Sequence, residues 1–274
     1  MGEVCALATY PLTGARGVEH GGTLMGPAGI VGDHLYVAYD PTNLERVSQK
    51  QVNEFAQIDA TYNGDALCLH HETAGSLTLP YIGGPATLSV VEFTDPTPCI
   101  DAGDEAEAFL SEVAHRHLRL AQKGQDWTNG HGLSTLKRAN APLHIINSDT
   151  LAALQAMNPE LDFGANRFRA NMQVNGFGAF EENTWVGHLL RIGDTIIRVT
   201  RLTPRCPVPG RDPQTGKNLK DVPTLYPRLP KILGPDGKLG KPAFGVYAVP
   251  IFDDKSRHQR RTIAVTDKVE LLTI

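Results

Sequence analysis

Apolar residues in the first hundred positions occur in short runs that glycine interrupts. Three of these runs, at 35–39 (LYVAY), 67–70 (LCLH) and 88–93 (LSVVEF), predict strands of an antiparallel sheet or barrel. The segment 94–104 (TDPTPCIDAGD) is rich in proline and contains glycine. That composition favours a boundary between two domains at this point.

Two segments have the pattern of helices. In 104–120 (DEAEAFLSEVAHRHLRL) five residues recur at helical spacing: Ala106, Phe109, Leu110, Val113 and His117. Acidic residues at its start and Arg116 and Arg119 near its end suit the helix dipole, so the helix is expected to pack one face on a core. A second, shorter helix is predicted at 148–157, with Ser148 as its N-cap and Asn158-Pro159 as its stop.

The last third of the chain is strand-like. In 189–202 (LLRIGDTIIRVTRL), Gly193-Asp194 separates two apolar runs and predicts a two-residue hairpin turn. Further strands are predicted at 244–251, 262–265 and 269–274, with Asp267-Lys268 as the turn between the last two. Together these elements predict an α+β protein dominated by antiparallel strands.

Composition narrows the class of protein. The chain has 274 residues and a net charge of −4, which does not suit a nucleic-acid-binding protein. It has no apolar window of about 18 residues and no secretory signal, so we expect a cytoplasmic protein without a membrane partner. The cysteines at 5, 68, 99 and 206 are far apart, which favours reduced thiols and no structural zinc site.

One of these cysteines lies in an unusual loop. The stretch 203–218 (TPRCPVPGRDPQTGKN) follows the predicted hairpin directly and contains four prolines, which restrict its backbone. Arg205 and Arg211 would favour the thiolate of Cys206, the form that attacks electrophiles or binds soft metals. The alternative is that Cys206 is a small buried apolar residue. From these residues alone the loop is interpreted as a site for a reactive or metal-ligating thiol.

Several stretches around this cysteine form an ordered set. Residues 166–206 contain Arg169-Ala170-Asn171, an acidic residue before Trp185, Ile192-Gly193 and Arg205-Cys206. In that order they resemble the MOSC domain, and 211–218 and 244–247 are similar to two later segments of the family. Residues 10–18 and 26–40 are similar to the MOSC N-terminal β-barrel region. The resemblance implies such a region at 1–100 and a MOSC domain, mostly an antiparallel barrel with a few helices, at 101–274.

Together these stretches are similar to the amidoxime-reducing subgroup, which implies a molybdenum-pterin cofactor (molybdopterin) with Cys206 as the metal ligand. It also implies two-electron reduction of small N-hydroxylated substrates, with electrons from a separate donor protein. The implied cofactor-binding residues are Thr13, Gly14, Arg16, His34, Asn140, Ala141, Arg169, Asn171, Pro204, Arg205 and Tyr247. Asp212 is a further candidate, for proton delivery, although an aspartate before a proline is commonly a turn residue.

The chain departs from the family pattern in places. Thr13 and Gly14 stand where the family usually has lysine and serine, and His34 stands where it has arginine. These differences remove about one to two positive charges near neutral pH. The segment at Asn140-Ala141 is also altered. Two other hypotheses therefore stay open: a cofactor carrier or sulfur-handling protein, and a metal-free relative that binds a small anion.

Overall fold

The computed structural model describes residues 1–92, 95–124, 142–160, 162–219, 229, 231–233, 239–252 and 260–272. The first strands are β1 (Gly2–Thr9), β2 (Val18–His20), β3 (Gly22–Gly26), β4 (Gly29–Ile30), β5 (Tyr36–Tyr39) and β6 (Arg46–Val47). Then come β7 (Asp59–Tyr62), β8 (Ala66–His71), β9 (Gly75–Pro80), β10 (Leu88–Glu92) and β11 (Asp95–Asp101).

The later elements include both α-helices of the described residues. They are α1 (Asp104–Ala114), β12 (Arg119–Lys123), β13 (Leu143–Asn147), α2 (Ser148–Met157), β14 (Met172–Asn175), β15 (Leu189–Ile192) and β16 (Thr195–Pro204). The last are β17 (Lys231–Leu233), β18 (Leu239–Ile251), β19 (Arg261–Ala264) and β20 (Lys268–Leu272). Short 3-10 turns lie at Asn53–Gln57, Ala165–Arg167, Glu181–Thr184 and Val208–Gly210.

Seven strands close into a barrel. Their order is β13-β14-β1-β20-β15-β16-β18, and β18 pairs back with β13. Only β13 and β14, which α2 connects, run parallel within this ring. Buried apolar side chains from every strand fill the interior, and Trp185 packs against Phe177 with ring centroids 4.8 Å apart. The predicted α+β class, with a mostly antiparallel barrel, is confirmed.

A second core lies beside the barrel. It joins the five-stranded sheet β10-β11-β12-β5-β6, the three-stranded sheet β7-β8-β9 and helix α1. The helix buries Ala106, Phe109, Leu110 and Val113, the face that its apolar spacing predicted. The Asn53–Gln57 turn contributes Phe55 to the same core. This arrangement places the segment 46–57 at the edge of the barrel, where the candidate site lies.

The predicted first helix is too long. Helix α1 ends at Ala114 because His115 adopts a left-handed conformation with φ of 50°, and Arg119–Lys123 is strand β12. Leu118 and Leu120 are fully buried after this turn, so tertiary packing overrides the helical spacing. Arg119 does not cap the helix but binds Asp101, with Nη2 to Oδ1 at 2.7 Å.

Smaller predictions differ in detail. The N-cap of α2 is Asn147, whose side chain accepts a hydrogen bond from the amide of Asp149, and not Ser148. Part of the predicted boundary segment is strand β11, which pairs with β10 and β12, while the division of the chain near residue 100 stays a prediction. The turn between strands β19 and β20 lies at Val265-Thr266 and not at the predicted Asp267-Lys268, and the two strands pair with different neighbours.

The Gly193-Asp194 hairpin and the strands at 35–39, 67–70 and 244–251 are confirmed, as is the strand at 88–92.

No helix within the described parts of the chain has the length and apolar character needed to cross a membrane.

A buried carboxylate holds α2 against the barrel. Glu182 is almost completely buried, and its Oε2 accepts hydrogen bonds from Thr150 Oγ1 at 2.7 Å and Asn147 Nδ2 at 3.1 Å. Burial raises the pKa of Glu182, against the opposing effect of these hydrogen bonds. Folding therefore favours the protonated form of this carboxyl group.

Replacing Glu182 with glutamine should reduce the pH dependence of stability. A carboxyl with a raised folded pKa stabilises the fold below its unfolded pKa, and this stabilisation is lost as pH rises through the folded pKa. Between about pH 4.5 and pH 7, Glu182→Gln should therefore lose less free energy of unfolding than the parent in denaturant titrations. The matched control is the exposed Glu160→Gln, and equal slopes for parent and Glu182→Gln would contradict the expectation.

Candidate functional site

A cavity of about 550 Å³ opens where the barrel meets the second core. Segments distant in sequence line it: 13–14, 33–34, 46–50, 142–144, 168–171, 201–208 and Tyr247. It therefore exists only when both halves of the chain are folded together. Cys206 is among the lining residues and is partly exposed, so it is not sealed in an apolar core.

The barrel provides a row of three lining side chains. Tyr247 of β18 lies opposite His144 of β13 on one side and Arg201 of β16 on the other. The rings of Tyr247 and His144 are 5.6 Å apart, and Arg201 Cζ lies 5.0 Å from the centre of the Tyr247 ring. The tyrosine is thereby held between an imidazole and a guanidinium at the cavity surface.

Cys206 leaves the barrel on a fixed strand end. The pairing of β16 with β18 continues to Pro204, opposite Ala243, and the amide of Arg205 donates to Pro242 O at 2.8 Å. Cys206 follows immediately and begins the prolyl segment with the Val208–Gly210 turn. The predicted position of the thiol at a strand exit is confirmed.

Two guanidinium groups of the cavity are held by carbonyls and rings. Arg205 Nη2 donates to Phe168 O at 2.8 Å, and its Nη1 lies 3.3 Å from His144 Nε2. Arg169 Nη1 donates to Ala15 O at 2.6 Å, and its Cζ lies 4.1 Å from the centre of the Tyr10 ring. Arg169 also has a φ of 52°, in the left-handed region that side chains other than glycine seldom adopt. Both cations are therefore positioned by backbone that is itself tightly constrained.

Asn171 has a structural task at this site. Its Oδ1 accepts the amide of His144 at 3.0 Å, its own amide donates to His144 O, and its Nδ2 reaches Ala8 O at 3.4 Å. Asn171 thus ties β13 to β1 while lining the cavity. A direct contact with a cofactor stays a prediction.

Asp33 and His34 form a pair in the cavity wall. Asp33 Oδ1 accepts the amide of Tyr10 at 2.7 Å, and its Oδ2 lies 2.7 Å from His34 Nδ1. Both side chains are largely buried. Burial is the main cause that raises the pKa of the neighbouring Tyr10 to about 12, so that phenol stays neutral near pH 7. The carboxylate fixes the orientation of the His34 ring by holding Nδ1.

Thr13 and Gly14 also line the cavity. The Oγ1 of Thr13 is buried and has no hydrogen-bond partner within the described ranges of the chain. Gly14 has a φ of 98°, and a Cβ there would lie 3.0 Å from the amide nitrogen of Gln49 and 3.3 Å from the Phe55 ring. A serine at position 14 would therefore be strained in this backbone, and glycine suits it.

The charge of the cavity is strongly positive. The lining residues include five cations and one carboxylate, Asp33, in a chain whose net charge is −4. The five cations are Arg46, Lys50, Arg169, Arg201 and Arg205. Such a site attracts anions. Sequence reasoning missed Arg46, Lys50, Arg201 and His144, because nothing in their local pattern separates them from ordinary surface or strand residues.

Some predicted site residues lie elsewhere. Arg16 donates to Asp59 Oδ1 at 2.7 Å and is not among the lining residues. Arg211, predicted to favour the thiolate, binds Gln49 O and Asn53 Oδ1 instead. Asn140 and Ala141 fall outside the described residues.

Asp212 also lies outside the cavity lining, in a turn. Its Oδ1 accepts the amides of Gln214 at 2.9 Å and Thr215 at 2.7 Å. These hydrogen bonds, led by that from the Thr215 amide, lower the pKa of Asp212. A lowered pKa is the opposite of what a proton donor near neutral pH requires. The proton-delivery role has no geometric support here, and the alternative of a turn residue fits the contacts.

The fold and the site together define a closed β-barrel with a thiol in a cationic cavity at its edge. The sequence model of the MOSC domain matches residues 120–270, and the chain belongs to that family. The expected family membership is therefore confirmed.

Relatives of two kinds match most of the chain. Molybdenum cofactor sulfurase of Drosophila pseudoobscura pseudoobscura is 24% identical over 92% of this chain, but this chain spans 30% of that protein. Mitochondrial amidoxime reducing component 2 of Bos taurus is 25% identical over 90% of this chain and 78% of the relative. Among solved structures, YiiM from Geobacillus stearothermophilus is 17% identical, with a TM-score of 0.31. The match covers 48% of this chain and 55% of the YiiM chain.

Alkylation should distinguish Cys206 from Cys99. Burial raises the pKa of Cys99 from 9.0 to about 12, so about a thousandfold less thiolate is present than in an ordinary cysteine. In the folded protein at pH 8, iodoacetamide should therefore modify Cys206 at least about 100-fold faster than Cys99, as measured by peptide mass spectrometry. Unfolding in guanidinium should remove most of the difference. Equal rates in the folded protein would contradict the accessibility of Cys206.

Proposed function

We propose that this protein binds a molybdenum-pterin cofactor in the cationic cavity, with Cys206 as the protein ligand of molybdenum, and reduces small N-hydroxylated compounds by two electrons. The observation that carries the proposal is the presence of one thiol and two rigidly held guanidinium groups, Arg169 and Arg205, on the same cavity. Membership of the MOSC family and a relative named amidoxime reducing component support it.

The residues present suit such a group. A thiolate is the preferred ligand of a soft metal, and planar guanidinium donors match the geometry of phosphate. Thr13 Oγ1, which has no hydrogen-bond partner among the described residues, offers another hydrogen bond in the cavity lining. The excess of four positive charges over negative ones in the lining, five minus one, suits an anionic cofactor.

The chain's own residues would have distinct tasks. The bound cofactor would supply a metal that changes its oxidation state by two electrons. Arg169 and Arg205 would bind the cofactor's anionic part, since both are already fixed and lose little freedom on binding. His34, whose Nδ1 is held by Asp33, would keep an oriented imidazole at the wall for hydrogen bonding or proton transfer. Electrons would come from a separate donor protein.

A second candidate is a cofactor carrier or sulfur-handling protein. It is favoured by the match of a molybdenum cofactor sulfurase to 92% of this chain, at nearly the same identity as the amidoxime reducing component. In this case Cys206 would hold its cargo without redox turnover. A metal-free protein that binds a small anion is the third possibility that the cationic lining supports.

Metal content tests the proposal. Expressed in a host that makes the pterin cofactor, the protein should contain close to one molybdenum per chain, and Cys206→Ser should retain less than about one tenth of it, because the substitution removes the thiolate with which the protein would bind the metal. Cys68→Ser, in strand β8 and away from the cavity lining, is the matched control. Reduction of an N-hydroxylated test compound with an artificial electron donor should then depend on Cys206.

The outcomes separate the three candidates. Molybdenum that depends on Cys206, with turnover, supports the reductase. The same metal without turnover supports the carrier. An absence of molybdenum from parent and control alike rejects both and leaves the anion-binding protein.

Restoring a permanent charge at position 34 should tighten cofactor retention. Arginine in place of His34 puts a permanent positive charge on the cavity wall, and such a charge about 5 Å from an anion corresponds to roughly fourfold tighter binding than a neutral side chain. The cofactor fraction that survives gel filtration at pH 8 measures this. His70→Arg, the same substitution at an exposed position of strand β8, is the control. Equal retention by parent and His34→Arg would place His34 away from the bound anion.

A further inference from the structure

We propose that Arg211 is a positioning residue that docks the thiol loop onto the facing wall of the cavity. The thiol loop is residues 205–219, and the wall segment is residues 48–53. Arg211 Nη1 donates to Gln49 O and to Asn53 Oδ1, and its Nη2 donates to Lys50 O at 3.2 Å. One guanidinium thus joins parts of the chain about 160 residues apart.

The acceptors of Arg211 belong to residues that face the cavity. Gln49 and Lys50 both line it, whereas Arg211 itself does not. Its effect on the site is therefore indirect: it fixes the backbone from which Gln49 and Lys50 project. Arginine suits this task because its rigid fork serves several acceptors at once, which a lysine ammonium on a flexible stem does not.

The thiol loop is fixed from the barrel side as well. Arg167 is buried, and its Nη1 donates to Pro209 O at 3.3 Å and to Arg211 O at 3.0 Å. Its Nη2 is paired with Asp162 at 3.0 Å. The backbone that carries Arg211 is thus fixed by contacts other than those between Arg211 and the wall segment.

Backbone packing reinforces the same docking. Gly216 has a φ of 70°, and a Cβ there would come within 2.1 Å of Asn53 O. The turn after Asp212 therefore lies directly on the wall segment, at a separation that only glycine permits. Arg16 Nη2 to Gln214 O at 3.4 Å and Gln57 Nε2 to Thr215 O at 3.5 Å are weaker contacts across the same junction.

The consequence of this docking is electrostatic. Lys50 and Cys206 line the same cavity, and the Arg211 contacts join the two segments that carry them. Without the junction, Lys50 would no longer be held at this cavity, and the positive potential at Cys206 would fall. This electrostatic effect belongs to the protein without cofactor and does not depend on the proposed function.

The test compares an anionic with a neutral alkylating reagent at Cys206. Both iodoacetate and iodoacetamide react with the same thiolate, so the thiolate fraction cancels in the ratio of their rates, which then reports the local potential. Rates are measured on the cofactor-free folded chain by peptide mass spectrometry. In Arg211→Lys, Asn53→Ala and Gly216→Ala, the ratio of the iodoacetate rate to the iodoacetamide rate should fall about threefold, the effect of displacing one nearby charge.

The three variants act in different ways. Arg211→Lys keeps the charge and removes the fork, so a lower ratio cannot come from a lost cation. Asn53→Ala removes one acceptor from the other side of the junction, and Gly216→Ala separates the two backbones by steric contact. Arg191→Lys, which alters an exposed pair with Glu270 on the barrel, is the matched control and should leave the ratio unchanged.

A general loss of stability gives a different result. If both alkylation rates rise together and the ratio stays within about 1.5-fold of the parent in Arg211→Lys and Asn53→Ala, the proposal is overturned. Should Arg211→Lys fail to fold, Asn53→Ala and Gly216→Ala decide the matter by the same ratio. A falling ratio in a protein that never acquires molybdenum would uphold the docking and reject the proposed cofactor, so the two failures are distinguishable.

Discussion

The pairing of β16 with β18 is the interaction on which the candidate site depends. It runs from Ile196 to Pro204 with register shifts between Val199 and Arg201 and between Leu202 and Pro204. A bulge of this kind re-aims the side chains that follow it. Here Val199 is fully buried in the barrel, whereas Arg201 is exposed and lies over Tyr247 at the cavity. The same strand pairing ends at Pro204, directly before Arg205 and Cys206, so the barrel fixes the position of the thiol.

The cavity stays positive because of what holds its cations. Three guanidinium groups lie over aromatic rings: Arg169 over Tyr10, Arg201 over Tyr247 and Arg205 over Phe168. Backbone carbonyls accept hydrogen bonds from two of them. Rings and carbonyls orient a cation without cancelling its charge. The cavity therefore combines rigid donors with a potential that favours anions, and this combination is what an anionic cofactor requires.

The sequence predicts those parts of the fold and site that local pattern determines. The Gly193-Asp194 hairpin, the position of Cys206 after it and the apolar face of α1 were predicted correctly, since each depends on neighbours in the chain. The end of α1 was not, because burial of Leu118, and of Leu120 in strand β12, outweighs helical spacing. Arg46 and Lys50 could not be predicted either. They line the same cavity as Cys206 through long-range packing, and for Lys50 this includes the hydrogen bond of its carbonyl with Arg211, about 160 residues away, which no local pattern contains.

The glycine at position 14 fits the same long-range packing. Gly14 lies against Gln49, part of the wall segment that Arg211 binds, and its positive φ leaves no room for a serine. Arg46 and Lys50, from the segment next to Gly14, bring two positive charges into the cavity. Compared position by position with the family pattern, the side chains at 13, 14 and 34 predict a weaker anion site. The assembled cavity is nevertheless positive, because a neighbouring segment supplies cations.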